Sequence, residues 1–547
     1  MKRPDYNRFA AVPSVGMQRS AFDMPFTYKT TLDAGYIVPC MQPIEILPGD
    51  SLNLRLTSFA RLATLLTPIM DNLKLAYFFF FVPNRLVWDD WEEFICADIN
   101  GPQGTIPQVV AGDAGFAVGS IADYFGLPVE VAGLSVSALP FRAYNLIFNE
   151  WFMRESLMTS AVVNTGSSDE DWTDGDYVLR RRCKRPDYFV SSNLWPQKGP
   201  GVELPLGDTA PVVGSTEGFT APSGLSMSSS DFSKGLQIGS STPDYGGNPF
   251  FLTKTFVNNK DATAGLSDGT SIGLVADLSE ATAATINSLR QAFQIQRLFE
   301  RDALAGNARY VEVLKSHFQV TSPDARLQRP EYLGGGVVPV SIHTVTSTAD
   351  TVTAIDPVKT GLVGEVAGNG VLASDGIGFT KSFVEHGYVI GLMCIYGVNT
   401  YQQGVDRQWS RKGRFDFYWP VLAHLGEQAV LNKEIYAQGP SVVDADGNVV
   451  DEQPFGYQAR WDEMRYGTSK ITGKLRSGVS GSLDVWHLAQ RFVSLPQLGE
   501  AFVSEAPPIS RVVAVLNEPH FIYDSVIRAR FVRPMPMYSV PGLVDHF

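Results

Sequence analysis

The run of five consecutive aromatic residues from Tyr77 to Phe81 limits the folds open to this chain more than any other segment. It lies inside the apolar sequence LKLAYFFFFVP at residues 73–83. Successive side chains of a β-strand point to opposite faces, so Phe79 and Phe80 are expected to face different ways. Because both faces are apolar, the segment predicts a central strand covered on both sides. It is far shorter than the roughly 20 apolar residues that a helix needs to span a bilayer.

Alternation of apolar and polar side chains predicts further strands, and aromatic residues at helical spacing predict helices. The clearest of these strands are residues 51–60, 383–396 and 521–532. Residues 415–419 (FDFYW) alternate as well. Residues 141–158 predict a helix whose Tyr144, Phe148, Trp151 and Phe152 share one face, which favours core packing. A second long helix is expected from Leu289 onward.

Composition divides the chain into four parts. We expect an extended N-terminal arm at 1–45, the first strands with inserted loops and a helix at 46–205, a surface insertion at 206–280, and the remaining strands at 281–547. Ser, Thr and Gly dominate the insertion, which contains no Arg, His, Cys or Trp. A segment this long without a core of its own is typical of a functional insertion. The last part contains a second, Thr/Ala/Gly-rich insertion at about 344–376 and an extended C-terminal tail.

The charge and cysteine content exclude several classes of protein. Only 18% of the residues are charged and the net charge is −13, which argues against a dedicated nucleic-acid binder. The four cysteines are scattered, without the spacing of a zinc site or a disulfide framework. The N-terminal sequence MKRPDYNRFA has no apolar core, so no signal peptide is expected.

Basic side chains next to aromatic ones mark candidate contacts with single-stranded DNA or with internal proteins. They occur in the N-terminal arm, in the segment at 180–185 and in the last predicted strand. Ion pairs at subunit contacts explain these charges equally well. The candidates are Lys2, Arg3, Arg8, Arg180, Arg181, Arg182, Lys184, Arg528, Arg530 and Arg533.

No catalytic motif or cofactor site is found in the sequence, so we expect neither an enzyme nor a cofactor. His386 and His487 lie in apolar segments and are interpreted as structural histidines. The sequence DADGN around Asp446-Gly447 resembles a calcium loop, but its glycine is misplaced and no glutamate closes it. A hairpin turn is the preferred interpretation.

Several long motifs resemble the major capsid proteins of microviruses, and the gokushovirus branch in particular. They recur in family order along most of the chain. Among them are DNLKLAYFFFFVPNRLVWDDWEEF at 71–94, LPFRAYNLIFNEWF at 139–152, KRPDYFVSSNLWPQKGP at 184–200 and RFDFYWPVLAHLGEQAVLNKEIY at 414–436.

The resemblance implies an eight-stranded antiparallel viral jelly roll with long loop and helical insertions. It also implies a T=1 icosahedral shell of many copies around circular single-stranded DNA, assembled in the cytoplasm of a bacterial host. The implied partners are further copies of the chain, an internal scaffolding protein, a DNA pilot protein, a small basic DNA-binding protein and a host-cell surface receptor. That basic protein would supply most of the charge that neutralises the phosphates.

In this family the insertion stands at the three-fold axes and is thought to meet the host cell, which corresponds to residues 206–280 here. The candidate host contacts are Phe219, Asp231, Phe232, Lys234, Tyr245, Asn248, Phe250 and Phe251. The alternative is a large β-sandwich that binds or cleaves glycans, with Trp195 and Tyr245 stacking on sugars.

Overall fold

The computed structural model describes most of the chain. The described residues are 18–96, 104–196, 212–214, 274–276, 286–304, 317–319, 328–348, 351–352, 359–361, 363–423 and 426–538. The chain divides into two compact units, a larger one of Met1–Pro196 with Pro323–Phe547 and a smaller one of Gln197–Ser322. Within the described ranges, no helix has the length and apolar character needed to cross a membrane.

Strands dominate the described residues, and short helices lie between them. The strands are β1 (Ser20–Leu32), β2 (Val38–Pro39), β3 (Ile44–Ile46), β4 (Ser51–Leu62), β5 (Lys74–Pro83), β6 (Gln108–Val110), β7 (Ser135–Ser137), β8 (Glu170–Asp171), β9 (Val212–Gly214), β10 (Leu274–Ala276), β11 (Glu331–Pro339), β12 (Ser341–Thr346), β13 (Thr351–Val352), β14 (Lys359–Gly361), β15 (Val366–Ser382), β16 (Gly387–Tyr396), β17 (Glu427–Leu431), β18 (Pro454–Ala459) and β19 (Phe521–Arg533). The α-helices are α1 (Trp91–Ile95), α2 (Ile121–Tyr124), α3 (Leu139–Ile147), α4 (Ile286–Leu304), α5 (Asn432–Ile435) and α6 (Glu500–Val503). In the smaller unit, β9 pairs with β10, and α4 is the long helix expected near Leu289.

Two five-stranded sheets form the body of the larger unit. The first has the order β1-β19-β4-β15-β12, and the second has the order β11-β5-β16-β2 with β3 also paired to β16. Every pairing in these two sheets is antiparallel. Eight of the ten strands are six residues or longer, and β2 and β3 are shorter. The structure confirms the expected mainly β, antiparallel sandwich.

The first sheet is apolar on one face only. Along β4, Leu52, Leu54 and Leu56 are fully buried, while the residues between them lie toward solvent. The same alternation runs along β19. The buried faces of β4 and β19 share one core with β5 and β16 of the second sheet. A strand with one solvent-exposed face has alternating apolar and polar residues, so these strands can be predicted from the sequence.

The aromatic strand β5 is central in the second sheet and is covered on both faces, as predicted. Phe79 points into the core between the sheets, where its ring lies 5.6 Å from that of Phe379. Phe80 points the opposite way into a second core, 5.9 Å from Phe152. The strand ends at Pro83, which cannot donate to a ladder.

The second core is built largely from the chain between β5 and β11. Helix α3 contributes Phe141, Tyr144 and Ile147 to it. The predicted helix over 141–158 is shorter than expected, because the chain leaves the α-helix after Ile147 and makes a π-turn over Phe148–Phe152. This turn brings Phe152 against the rings of Phe78 and Phe80.

Two segments expected to lie outside the sheets are partly strands. Residues 20–32 of the expected arm form β1, which pairs with β19 along its whole length. Residues 366–376 of the expected second insertion belong to β15. Its glycines permit close packing, since a Cβ on Gly370 would lie 2.8 Å from Leu62 Cβ. Glycine-rich composition therefore marks tight contact between neighbouring strands here.

Candidate assembly and nucleic-acid contact surfaces

The basic segment at 180–185 is an irregular strand held between two other parts of the larger unit. On one side, the Ile37 amide donates to the Arg180 carbonyl at 2.9 Å. On the other side, the Lys184 amide donates to the Val503 carbonyl at 2.7 Å, and the Glu505 amide to the Arg182 carbonyl at 2.7 Å. The backbone of the segment therefore ties residues near β2 to residues near α6.

The arginines of this segment stack mainly on aromatic rings. The Arg181 guanidinium lies 4.1 Å from the centre of the Tyr36 ring and donates to the Glu505 carbonyl at 3.0 Å. The Arg182 guanidinium lies near both Phe78, at 5.4 Å, and Tyr396, at 5.1 Å. Stacking of a guanidinium on a ring contributes about 0.5–2 kcal/mol, more where water is excluded. Arg181 and Arg182 thus stabilise the subunit itself.

Lys184 lies inside the subunit, with only 5% of its surface exposed. Its ammonium donates to Gln490 Oε1 at 2.9 Å and to the Phe502 carbonyl. Burial lowers the pKa of Lys184, and the nearby Glu505 opposes this shift. Burial likewise raises the pKa of Glu505. Because groups inside the subunit bind its ammonium, Lys184 has a structural role, and this candidate is corrected accordingly.

A cavity of about 350 Å³ opens beside the basic segment. Among the described residues, its lining includes Trp151, Arg154, Arg182, Lys184 and Arg185 and contains no carboxylate. Arg154 is held by the Val190 and Ser191 carbonyls. Nη1 of Arg182 is buried and has no hydrogen-bond partner in the described part of the chain. The cavity is therefore electropositive and suited to an anion.

The solvent face of the first sheet carries the remaining described candidates. Arg528 and Arg530 are exposed on β19, and Arg530 lies 3.7 Å from Asp23 of β1 in an ion pair open to solvent. Arg55 of β4 stands directly opposite Arg528 in the ladder. Like charges placed opposite one another on neighbouring strands repel. An anionic partner on this face would relieve that repulsion.

Arg533, at the end of β19, has a structural position instead. Its guanidinium lies 3.1 Å from the fully buried carboxylate of Asp50 and donates to the Glu45 carbonyl at 2.8 Å. It also stacks 4.2 Å from the Phe531 ring. Removing Arg533 would leave the buried Asp50 carboxylate without its counter-ion, which would lower the stability of the subunit.

The remaining predicted sites lie outside the described residues. These are the arm candidates Lys2, Arg3 and Arg8, and the whole host-contact set Phe219, Asp231, Phe232, Lys234, Tyr245, Asn248, Phe250 and Phe251.

His487 and the turn at Asp446-Gly447 both make local hydrogen bonds. One ring nitrogen of His487 lies 2.6 Å from the Leu475 carbonyl, and the other accepts from the Ala489 amide at 3.1 Å. The Asp444 carboxylate accepts from the backbone amides of Asp446 and Asn448, which closes a hairpin turn. Across the described residues, no group of three metal-ligating side chains is found.

Comparison with known proteins decides the family. A family model described as "Capsid protein (F protein)" matches residues 10–543. Capsid protein VP1 of Chlamydia phage 1 is 42% identical over 98% of both chains. Capsid protein VP1 of Bdellovibrio phage phiMH2K is 43% identical over 100% of this chain and 99% of its own.

The chain belongs to the F-type phage capsid protein family. A more distant relative, capsid protein VP1 of Spiroplasma virus 4, is 33% identical over 96% of this chain and 95% of its own. The resemblance to gokushovirus major capsid proteins is thereby confirmed. The chain is a structural virion protein that assembles with copies of itself, and it is not an enzyme.

One surface of this capsid-family chain was missed by the sequence reasoning. Residues 412–421 (KGRFDFYWPV) are all exposed. The alternation at 415–419 predicted a strand, but two short 3-10 turns occupy this segment. The Asp416 carboxylate accepts from the Lys412 and Gly413 amides at 2.8 and 2.7 Å, which closes the first turn. Pro420 starts the second turn and cannot donate to a ladder.

Proposed function

We propose that this capsid subunit forms a T=1 icosahedral shell around circular single-stranded DNA, in the cytoplasm of a bacterial host. The observation that carries the proposal is the full-length relationship to three capsid proteins VP1 from phages and a spiroplasma virus. These relatives match almost the whole length of this chain, so every large part of it has a counterpart in them. The sandwich supplies a rigid wall, and long insertions are available for contacts outside it.

The solvent face of the first sheet is the proposed DNA contact. Arg55 and Arg528 oppose each other there, and Arg528 has no ion-pair partner among the described residues. Phosphates would neutralise these cations and release counter-ions. The electropositive cavity beside Arg182 and Arg185 is a second candidate for phosphate. Because the chain is acidic overall, a small basic DNA-binding protein is proposed to neutralise most of the genome.

Residues 206–280 are proposed to contact a host-cell receptor, and the internal scaffolding and DNA pilot proteins are proposed partners in assembly. A glycan array on purified particles tests the receptor proposal for one class of receptor, the glycans. Binding that depends on residues 206–280 supports it and names the receptor as a glycan. Binding at Trp195, which is 47% exposed, would instead favour a glycan contact outside the insertion.

Nuclease treatment of purified particles tests genome enclosure. The expected result is circular single-stranded DNA that survives nuclease until the particles are disrupted. Particles that are intact by electron microscopy but never contain protected DNA would contradict the proposal.

A further inference from the structure

The exposed segment 412–421, here called the aromatic loop, is a preformed structure with an apolar surface. Its Phe415, Phe417, Tyr418 and Trp419 are 64%, 55%, 50% and 40% exposed, and Val421 is 89% exposed. Internal contacts fix its shape, since Trp419 Nε1 donates to the Arg414 carbonyl at 3.1 Å. The Tyr418 ring also packs edge-on against Trp461, with ring centres 5.1 Å apart. The loop therefore holds its apolar side chains in water at a fixed geometry.

The size of this surface indicates a protein partner. Covering an aromatic side chain fully removes roughly 150–250 Å² from water, so the four half-exposed rings offer on the order of 400 Å². A stable protein interface buries about 800 Å² on each partner, so the loop would supply roughly half of one side. An exposed apolar patch of this size is often functional in a protein surface.

The charges around the loop indicate what kind of partner it meets. Lys412 and Arg414 belong to the loop, Arg460 donates to the Phe415 carbonyl, and Arg411 is paired with Glu463 at 3.2 Å. A second copy of the chain carries a net charge of −13. Its exposed acidic surface at 89–96 contains Asp89, Asp90, Glu92 and Glu93 next to the exposed apolar Ile95. This surface complements both the cations and the apolar side chains of the loop.

Single-stranded DNA fits the loop less well. Bases bind proteins by stacking on open aromatic faces. Arg414 already lies over the Trp419 ring at 4.9 Å, and Arg460 over Trp461 at 4.7 Å. Val421, the most exposed of the loop's large apolar side chains, offers a base neither charge nor a ring.

We infer that the aromatic loop of one subunit docks on the acidic surface at 89–96 of a second copy. Because two different patches meet, the contact is head-to-tail, and in a closed shell such a contact repeats around a ring of subunits. The inference rests on the proposed shell. It adds which surfaces of the chain meet there.

A cross-linking experiment tests which surfaces meet. Cys96 is exposed at the end of α1, on the acidic surface, and provides a native partner for an introduced cysteine. In shells assembled from V421C, a short bismaleimide should join subunits into covalent dimers and larger ladders. The C96S/V421C double variant should lose these products. The control V384C, at a side chain that is 84% exposed elsewhere, should give none.

A second variant separates folding from docking. F415S/V421D changes only exposed side chains, so it should keep the circular dichroism and melting temperature of the wild-type subunit while failing to form shells. The control V384S should keep the wild-type circular dichroism and melting temperature and should also form shells.

Wild-type protein that never forms shells, even with its scaffolding protein, would overturn the proposed shell. This outcome is distinct from a failure of docking. Intact shells of F415S/V421D, or V421C shells without Cys96-dependent products, would overturn the inference. The inference would also be overturned if F415S/V421D lost binding to a poly-dT oligonucleotide while its shells persisted. The aromatic loop would then be a DNA contact.

Discussion

Phe79 and Phe80 are neighbours in β5, yet they pack into two different cores. Phe79 joins the two sheets of the sandwich, and Phe80 joins the second sheet to the inserted layer around α3. A single strand therefore anchors both the sandwich and the inserted layer. Damage on either face of β5 should affect the whole subunit.

We expect F79A and F80A each to lower the free energy of unfolding by about 3–5 kcal/mol, because each leaves a cavity in a close-packed core. Chemical denaturation of unassembled subunits measures this, with V384S as a surface control that should change it by less than about 0.5 kcal/mol. F79D should give no folded subunit and hence no particles. Recovery of F79D particles that fail only to infect would show that Phe79 is not in a closed core.

Subunit stability should depend on the ring-stacked arginines of the basic segment and not on the exposed arginines of β19. R181S removes a cation–π interaction and two hydrogen bonds, to the Glu505 carbonyl and the Tyr36 hydroxyl, so it should lower subunit stability by about 1–3 kcal/mol. R528S/R530S changes exposed side chains and should leave stability within about 0.5 kcal/mol.

The DNA readout for the same variants is the salt dependence of binding to single-stranded DNA. R528S/R530S should make the slope of log affinity against log salt shallower, by up to about 0.7 for each phosphate that the variant no longer neutralises. R476S, at an exposed arginine on another part of the chain, is the matched control. An unchanged slope in R528S/R530S would assign these arginines to subunit contacts.

Stability should fall in mildly acidic solution because of His520. This residue precedes β19 and lies 3.1 Å from Asp33, which follows β1. Burial lowers the pKa of His520 below 6.5, an effect that Asp33 opposes and Arg181 reinforces. As the pH drops below 6.5, the unfolded chain takes up the proton first, so the folded state loses stability down to the folded pKa. Melting temperatures of H520Q should lack the His520 part of this decline between pH 7 and 5, and an equal decline in both proteins would contradict the assignment.

Deletion of residues 215–275 should leave shells intact and abolish adsorption to host cells. Composition alone supports this expectation, since the Ser/Thr/Gly-rich segment has too little apolar content for a core of its own. Electron microscopy and an adsorption assay measure the two effects separately. Absence of shells would mean that the insertion is needed for contacts between subunits.

The sheets were predictable where burial is simple. The leucines of β4 alternate with polar residues because one face of this strand is exposed to solvent. The aromatic run of β5 is continuous because both faces of that strand are buried. Tertiary contacts decided the rest. The extent of β15 depends on packing against Leu62, and the end of α3 depends on where Phe152 meets Phe78.

The candidate sites were harder to predict because charge alone does not show exposure. Arg180–Arg182 and Lys184 looked like a basic patch, but Lys184 is buried and Arg181 and Arg182 stack on rings inside the subunit. The aromatic loop looked like a strand, but its aromatic side chains lie in water. The glycine and proline that bracket RFDFYW are the sequence signal that would have identified it.

Reconstruction of purified particles by electron cryomicroscopy tests the central claim most directly. The account predicts a T=1 shell whose wall is built from the two-sheet sandwich, with β5 buried within each subunit. It also predicts residues 206–280 on the outside and the face carrying Arg55 and Arg528 toward the genome. Protein that remains a monomer in the presence of its scaffolding protein, or a shell of another triangulation number, would contradict it.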